Sequence, residues 1–216
     1  MDNQITYPYI DAFLNAMQMP QDAFLQELEA FCRAENIPAA MPMTARLLYV
    51  LAAIKKPKRI IEVGTAAGYS ALTLFAGSGK TARIVTIEKD EERFLLARRH
   101  FREYGASDMI KPLCGDAEEL LASIEGPFDL AFIDAAKVAT KRHFDLIVPK
   151  MSPDGILVTD NVLYGGRTAM PGEPAHKHRT GVRAMREYVD YLCHDSRFVT
   201  VVLPVGDGVA VTKLAE

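Results

Sequence analysis

The chain has little of what would take it out of the ordinary globular class. It carries 3 cysteines, Cys32, Cys114 and Cys193, which are widely separated and odd in number. That excludes a disulfide framework and shows no zinc spacing. Ordinary buried or partly buried thiols in a reducing compartment, the cytoplasm, are expected. No apolar run is long enough to span a membrane. The most apolar stretch, Ile37 to Ile54, is broken by Arg46 and two prolines and reads as a buried helix with its lead-in turn. The start, Met1-Asp2-Asn3-Gln4, lacks the basic residues and apolar run of a secretory leader. Neither sign of charge dominates. With 25 basic and 28 acidic residues the net charge is -3, so no global field draws in nucleic acid, and only a local basic patch could. Internal repeats and low-complexity segments are absent.

What remains is 216 residues, 49% apolar and 25% charged. That is enough to bury one sizeable core, so a single domain over 1–216 is expected. Its first part, 1–56, is helical in pattern. Tyr9, Phe13, Leu14 and Met17 recur at helical spacing, as do Phe24, Leu28 and Phe31, and a third helix runs from about Thr44 to Lys55, before Pro57. From 57 to 216 short β-branched runs alternate with amphipathic ones. Strands are predicted at 59–63, 83–87, 110–114, 128–133 and 155–159, each followed by a helix. This is the rhythm of an α/β fold with a parallel sheet covered on both faces. The end differs. A helix over 181–194 leads into Phe198 to Leu203, a turn Pro204-Val205-Gly206-Asp207-Gly208, and Val209 to Lys213. That is a hairpin, so the seventh strand should run antiparallel at or near the sheet edge.

Ligands of such sheets bind at the carboxyl ends of the strands. After the first strand stands Gly64-Thr65-Ala66-Ala67-Gly68, a Gly-x-x-x-Gly spacing without the third glycine of the dinucleotide fingerprint. It either admits a ligand to the backbone and the next helix N-terminus or is a plain tight turn. The second strand ends in Glu88, placed to accept both ribose hydroxyls or to serve as an acid favoured at a helix start. The third ends in Gly115-Asp116-Ala117, where Asp116 could accept an adenine amino group or merely cap a helix. Together the three describe a nucleoside-binding cleft better than any one alone.

The fourth strand ends in Asp134-Ala135-Ala136-Lys137 and the fifth in Asp160-Asn161. Two carboxylates and an amide are hard oxygen ligands suited to magnesium or a similar cation. If the two strands are neighbours, Asp134, Asp160 and Asn161 converge on one ion. The bland reading is a helix cap at Asp134 and a turn at Asp160-Asn161.

These residues in this order, Ile60-Ile61-Glu62-Val63-Gly64-Thr65, Gly68-Tyr69-Ser70, Glu88, Gly115-Asp116-Ala117, Phe132-Ile133-Asp134-Ala135 with Lys137, Asp160-Asn161-Val162-Leu163 and Pro204-Val205-Gly206-Asp207-Gly208, resemble the cation-dependent O-methyltransferases. That family includes catechol and caffeoyl-CoA O-methyltransferases and bacterial tRNA 5-hydroxyuridine methyltransferases. The similarity runs from about Ile37 to Lys213. It implies a Rossmann-like seven-stranded methyltransferase sheet with the last strand antiparallel and extra N-terminal helices. It implies S-adenosylmethionine as methyl donor and a divalent cation, Mg2+, held by Asp134, Asp160 and Asn161. Glu62, Gly64 and Ser70 would lie around the methionine part, Glu88 would hold the ribose, and Asp116 with Ala117 would flank the adenine. Asp134 would touch both cofactor and ion, and Lys137 matches the proposed general base. Met41 falls where relatives contact the cofactor, although Ala45 replaces the more usual glycine nearby.

The implied acceptor is a hydroxyl with a neighbouring oxygen. A catechol-like small molecule qualifies, and so does 5-hydroxyuridine in tRNA. Lys137, Lys141, Arg142 and His143, with Lys177, His178, Arg179, Arg183 and Arg186, form either a basic rim for phosphates or an ordinary charged surface. The segment from Val162 to Ala175, rich in Gly and Pro, reads as a mobile lid, with Tyr164 and Arg167 as candidate acceptor contacts. The helices before Pro57 could cover the acceptor or join two copies in a homodimer. Readings of other classes are a nicotinamide-dependent oxidoreductase, opposed by the missing third glycine, and a noncatalytic nucleoside-binding module, opposed by Lys137 beside a complete ligand set.

Overall fold

The β-branched runs after Pro57 pair into one sheet, and the amphipathic runs between them cover its two faces. The computed structural model describes residues 5–19 and 22–215. Met1 to Gln4, the start without leader character, lie outside the described residues. The strands are β1 (Arg59–Val63), β2 (Arg83–Glu88), β3 (Ile110–Cys114), β4 (Phe128–Ile133), β5 (Met151–Thr159), β6 (Phe198–Leu203) and β7 (Val209–Leu214). Their spatial order is β3-β2-β1-β4-β5-β7-β6. β1 to β5 pair in parallel, and β7 runs antiparallel to both β5 and β6.

The reversed strand therefore lies one place in from the edge. Composition explains the exchange. Val209 and Ala210 of β7 are fully buried, whereas Val199 and Val201 of β6 are 65% and 50% exposed. An inner strand must tolerate cover on both faces, and an edge strand need not. β5 begins at Met151, earlier than the Gly155 expected from the sequence. Met151 pairs with Phe128 across an irregularity in the ladder.

The helices are α1 (Pro8–Ala16), α2 (Ala23–Ala34), α3 (Pro42–Lys55), α4 (Tyr69–Gly77), α5 (Glu91–Glu103), α6 (Ala117–Ser123), α7 (Thr140–Ile147) and α8 (Arg179–His194). Leu25, Leu48, Leu72 and Phe101 bring α2 to α5 onto one face, where Ile60, Leu130 and Phe132 meet them. Leu121, Phe144, Met185 and Tyr188 bring α6 to α8 onto the other, against Ile61, Ala131 and Leu157. Each such fully buried aliphatic or aromatic side chain stabilises the fold by roughly 1.5–3 kcal/mol. Asp22 and Asp90 cap α2 and α5 by accepting the N–H of Leu25 and Arg93, each at 3.0 Å. α3 stops at Lys56, whose left-handed backbone leads into Pro57. α1 buries none of its residues, and Tyr9, Phe13 and Met17 line its exposed side.

Of the cysteines only Cys32 is buried. Cys114 and Cys193 are exposed, the first on the edge strand β3 and the second on the outer side of α8. Among the described residues no helix is long and apolar enough to cross a membrane.

Candidate active site

In the strand order β1 and β4 are neighbours whose following connections depart to opposite sides, and a crevice opens at their carboxyl ends. A cavity of ≈ 380 Å³ lies there, with Gly64, Glu88, Asp116, Ala117, Asp134 and His143 on its walls. Gly64 has φ +100, and a Cβ on it would stand 2.0 Å from the backbone oxygen of Asp134. Only a residue without a side chain lets the ends of β1 and β4 approach so closely. Glu88, buried at the tip of β2, accepts the N–H of Ala66 at 2.9 Å and of Asp90 at 3.0 Å. Asp116 caps α6 by accepting the N–H of Glu118 at 2.8 Å, and it also stands on the cavity wall. Cap and wall roles coincide in that residue.

Ser70 lines a smaller recess beside the cavity, together with Gly64, Ala66 and Asp134. Glu62 and Met41 stand on neither wall. Met41 is half-exposed at the start of α3 and packs towards Gly206 in the turn between β6 and β7. Glu62 is fully buried in the middle of the sheet, next to Thr86 of β2 and Phe132 of β4. The Thr86 hydroxyl donates to its Oε2 at 2.5 Å.

Burial pushes the Glu62 carboxyl up to about 7, against hydrogen bonds from Thr86 and Ser70 that favour the anion. The folded protein thus holds this proton to higher pH than the unfolded chain does. The stability it contributes is complete below the ordinary value of 4.5 and is lost as pH rises through about 7. The shift corresponds to about 3 kcal/mol. We expect Glu62→Gln to flatten the fall in stability between those limits. Urea unfolding of both proteins from pH 4.5 to 8 measures it, and parallel curves would show that Glu62 does not titrate in this window.

Asp134 and Asp160 come together because Ile133 and Thr159 are register partners in the parallel β4–β5 ladder. Their N–H groups extend the sheet pattern, donating to Val63 at 2.9 Å and to Ile133 at 3.0 Å. Asn161 takes a left-handed backbone, φ +64, which asparagine tolerates better than most residues. Its amide Nδ2 donates to Asp134 Oδ1 at 2.8 Å, and its N–H donates to Asp160 Oδ1 at 2.7 Å. Burial raises the Asp134 carboxyl, against Lys137 and Asn161, which lower it. Burial and the neighbouring Asp134 charge push Asp160 up to about 7. Among the described residues no group of three or more His, Cys, Asp and Glu gathers for a metal. The set at these strand tips is two carboxylates and an amide. It fits a hard divalent cation, because two crowded, poorly hydrated acids need a double positive charge and rotation of the amide offers a third oxygen.

Lys137 stands over the ring of Tyr164, Nζ 4.4 Å from its centroid, and Arg167 stacks on the same ring at 5.2 Å. The Tyr164 hydroxyl meets His178 Nδ1 at 3.0 Å. The segment carrying Tyr164, expected from its glycines to act as a lid, is hydrogen-bonded to its surroundings at several points. Val162 and Leu163 donate to Gly208 and Asp207 at 3.0 Å, and the Asp207 carboxylate accepts the Gly165 N–H. Arg186 of α8 donates to the carbonyls of Thr168 and Gly172 at 3.0 Å and to that of Met170. Arg183 grips both oxygens of Glu173. The basic rim is correspondingly reduced, since Arg142 pairs with Glu118 at 2.7 Å and Lys141 with Asp145 at 2.6 Å. Asp207 and Arg186 carry more of this region than their local sequence suggests, because their partners lie far away along the chain.

The sequence pattern of the O-methyltransferase family matches residues 15–214, nearly the whole chain. The chain belongs to the O-methyltransferase family. It is an S-adenosylmethionine-dependent O-methyltransferase, similar to catechol O-methyltransferase of Mycobacterium tuberculosis at 31% identity over 169 residues, 77% of each chain. Among solved structures, the SAH-bound methyltransferase PaMTH1 of Podospora anserina matches with a TM-score of 0.86 and 29% identity, covering 96% of this methyltransferase and 94% of that one. The O-methyltransferase TomG of Streptomyces achromogenes, solved in complex with SAM, matches with a TM-score of 0.83 and 25% identity over 100% of both chains. The seven-stranded methyltransferase sheet with its antiparallel last strand is thus the architecture of this family member.

Proposed function

We propose that this methyltransferase is divalent-cation-dependent and acts on a small catechol-like molecule, in which the reacting hydroxyl has an oxygen neighbour. The observation that carries the reading is the meeting of Asp134, Asp160 and Asn161 at two adjoining strand tips, with Asp134 also on the wall of the nucleoside-sized cavity. Asp134, Asp160 and Asn161 hold the cation. Glu88 accepts the ribose hydroxyls, Asp116 and Ala117 flank the adenine, and Gly64, Ser70, Glu62 and Met41 surround or support the methionine part. When bound, S-adenosylmethionine supplies a sulfonium-activated methyl group, and the cation supplies a charge that favours the acceptor's oxyanion. Lys137, in its neutral amine form, takes the proton of the acceptor hydroxyl at its Nζ and becomes an ammonium. Tyr164 and Arg167 wall the acceptor side, and the Tyr164 ring positions the Lys137 side chain. Strapping of the 162–175 segment excludes water from this side and keeps the acceptor aligned.

A small acceptor is favoured over the 5-hydroxyuridine of tRNA because Arg142, Arg183 and Arg186 are engaged within the protein and present no free row of cations to a phosphate backbone. The exposed Tyr9, Phe13 and Met17 support a homodimer through α1. The test is methyl transfer from labelled S-adenosylmethionine to a panel of catechols and to tRNA lacking the modification, with magnesium and with excess chelator. Labelled catechols in magnesium alone are expected. Labelled tRNA without catechol turnover would move the acceptor to tRNA, and full activity in chelator would remove the cation from the reading.

A further inference from the structure

His143 is an unusual wall for this cavity. It lies on α7, facing α6, and is buried, with a relative exposure of 7%. Its Nδ1 is sealed from solvent and, among the described residues, has no hydrogen-bond partner. His143 lines the cavity that holds Asp116 and Ala117, and its Nε2, unlike Nδ1, is not sealed. A neutral imidazole has one proton and two nitrogens. Nδ1 has no acceptor to receive that proton, so the tautomer carrying it on Nε2 is favoured, and a donor then points into the cavity. Burial lowers the affinity of the ring for a second proton, although Glu118 and Asp116 act the other way. A polar group this deep is retained at a cost unless something satisfies it.

We infer that His143 is a specificity-determining residue for the base of the methyl donor, its Nε2–H donating to an adenine ring nitrogen adjacent to the exocyclic amino group. The inference rests on the cofactor placement proposed above. Adenine presents there an amino donor flanked by two bare nitrogens, N1 and N7. Asp116 is an acceptor and His143 a donor on the same wall, which complements one such donor–acceptor pair. Hypoxanthine, with an oxygen in place of the amino group, would face the Asp116 carboxylate with like polarity.

The test is calorimetric titration of wild-type protein, His143→Phe and His143→Gln with S-adenosylhomocysteine and its 1-deaza and 7-deaza analogues. A single hydrogen bond of about average strength corresponds to roughly five- to tenfold in affinity. Wild type should bind the parent ligand and discriminate against one deaza analogue by about that factor. His143→Phe should bind the parent about tenfold more weakly and lose the discrimination. His143→Gln, whose amide can donate, should recover part of both, which also guards against a folding defect in the phenylalanine variant. Unchanged affinity in a folded His143→Phe, or equal weakening towards all three ligands, would overturn the inference. Failure of the wild-type protein to bind the parent would instead overturn the cofactor placement itself.

Discussion

Asp160→Ala is expected to lower kcat by about a thousandfold or more and to leave the affinity for S-adenosylhomocysteine within about threefold, on the arrangement of charges at the β4 and β5 tips. Asp160 is 7% exposed and lies next to Asp134, but it is not on the wall of the cavity proposed for the cofactor, whereas Asp134 is. Removing it halves the charge offered to a cation and touches nothing assigned to the nucleoside. The magnitude follows from the loss of an electrostatic group aimed at developing negative charge in a dry site, which typically amounts to a factor of about 10²–10³ for a single neutral donor and is larger for an ion. Unfolding would not explain the loss. An acid whose pKa is raised by burial weakens the fold at neutral pH, so the alanine variant should unfold in chelator at the same urea concentration as wild type or a higher one. The measurement pairs steady-state kinetics in magnesium with calorimetry of the cofactor product. Retained turnover would show that no cation is held there, and a parallel collapse of cofactor binding would show that Asp160 belongs to the nucleoside pocket.

Strand tips are where this chain is most legible. Short β-branched runs have few alternatives once helices separate them, and residues just past each run must lie at one end of a parallel sheet. That is why Gly64, Glu88, Asp116, Asp134 and Asp160 can be placed around one crevice from their positions in the chain. What cannot be read in this way depends on partners far away in sequence. Whether Arg186 belongs to a phosphate-binding rim or to a strap turns on three carbonyls of another segment, and no local pattern encodes that choice. The inner position of β7 follows from comparing its burial with that of β6 across the whole sheet. His143 looks like one more cation among Lys141 and Arg142, because helical periodicity alone does not separate an inward histidine from an exposed one.

Gly64→Ala should be severely damaging for a change of one methyl group. Two independent penalties meet at this residue. Its φ of +100 is a conformation that a side chain strains by about 1–2 kcal/mol. The added Cβ would also stand 2.0 Å from the Asp134 backbone oxygen and 3.0 Å from its carbonyl carbon. Neither clash can be relieved by turning a side chain, so the ends of β1 and β4 must separate. Opening that junction displaces Asp134 from its place beside Asp160 and distorts the cavity where the cofactor would rest. A destabilisation of about 2–4 kcal/mol is expected, in the range of overpacked buried sites with added backbone strain. Cofactor affinity should fall by about a hundredfold or more, because the walls that receive the ligand would no longer stand preformed and binding would have to rebuild them. Gly79 provides the control. It also has a positive φ, +73, but a Cβ there would meet nothing within 4 Å. Gly79→Ala should therefore lose only about 1 kcal/mol and bind S-adenosylhomocysteine as wild type does. Thermal unfolding and calorimetry of the two variants separate strain from collision. If both lose the same stability and both keep the ligand, close approach of β1 to Asp134 is not what shapes this site.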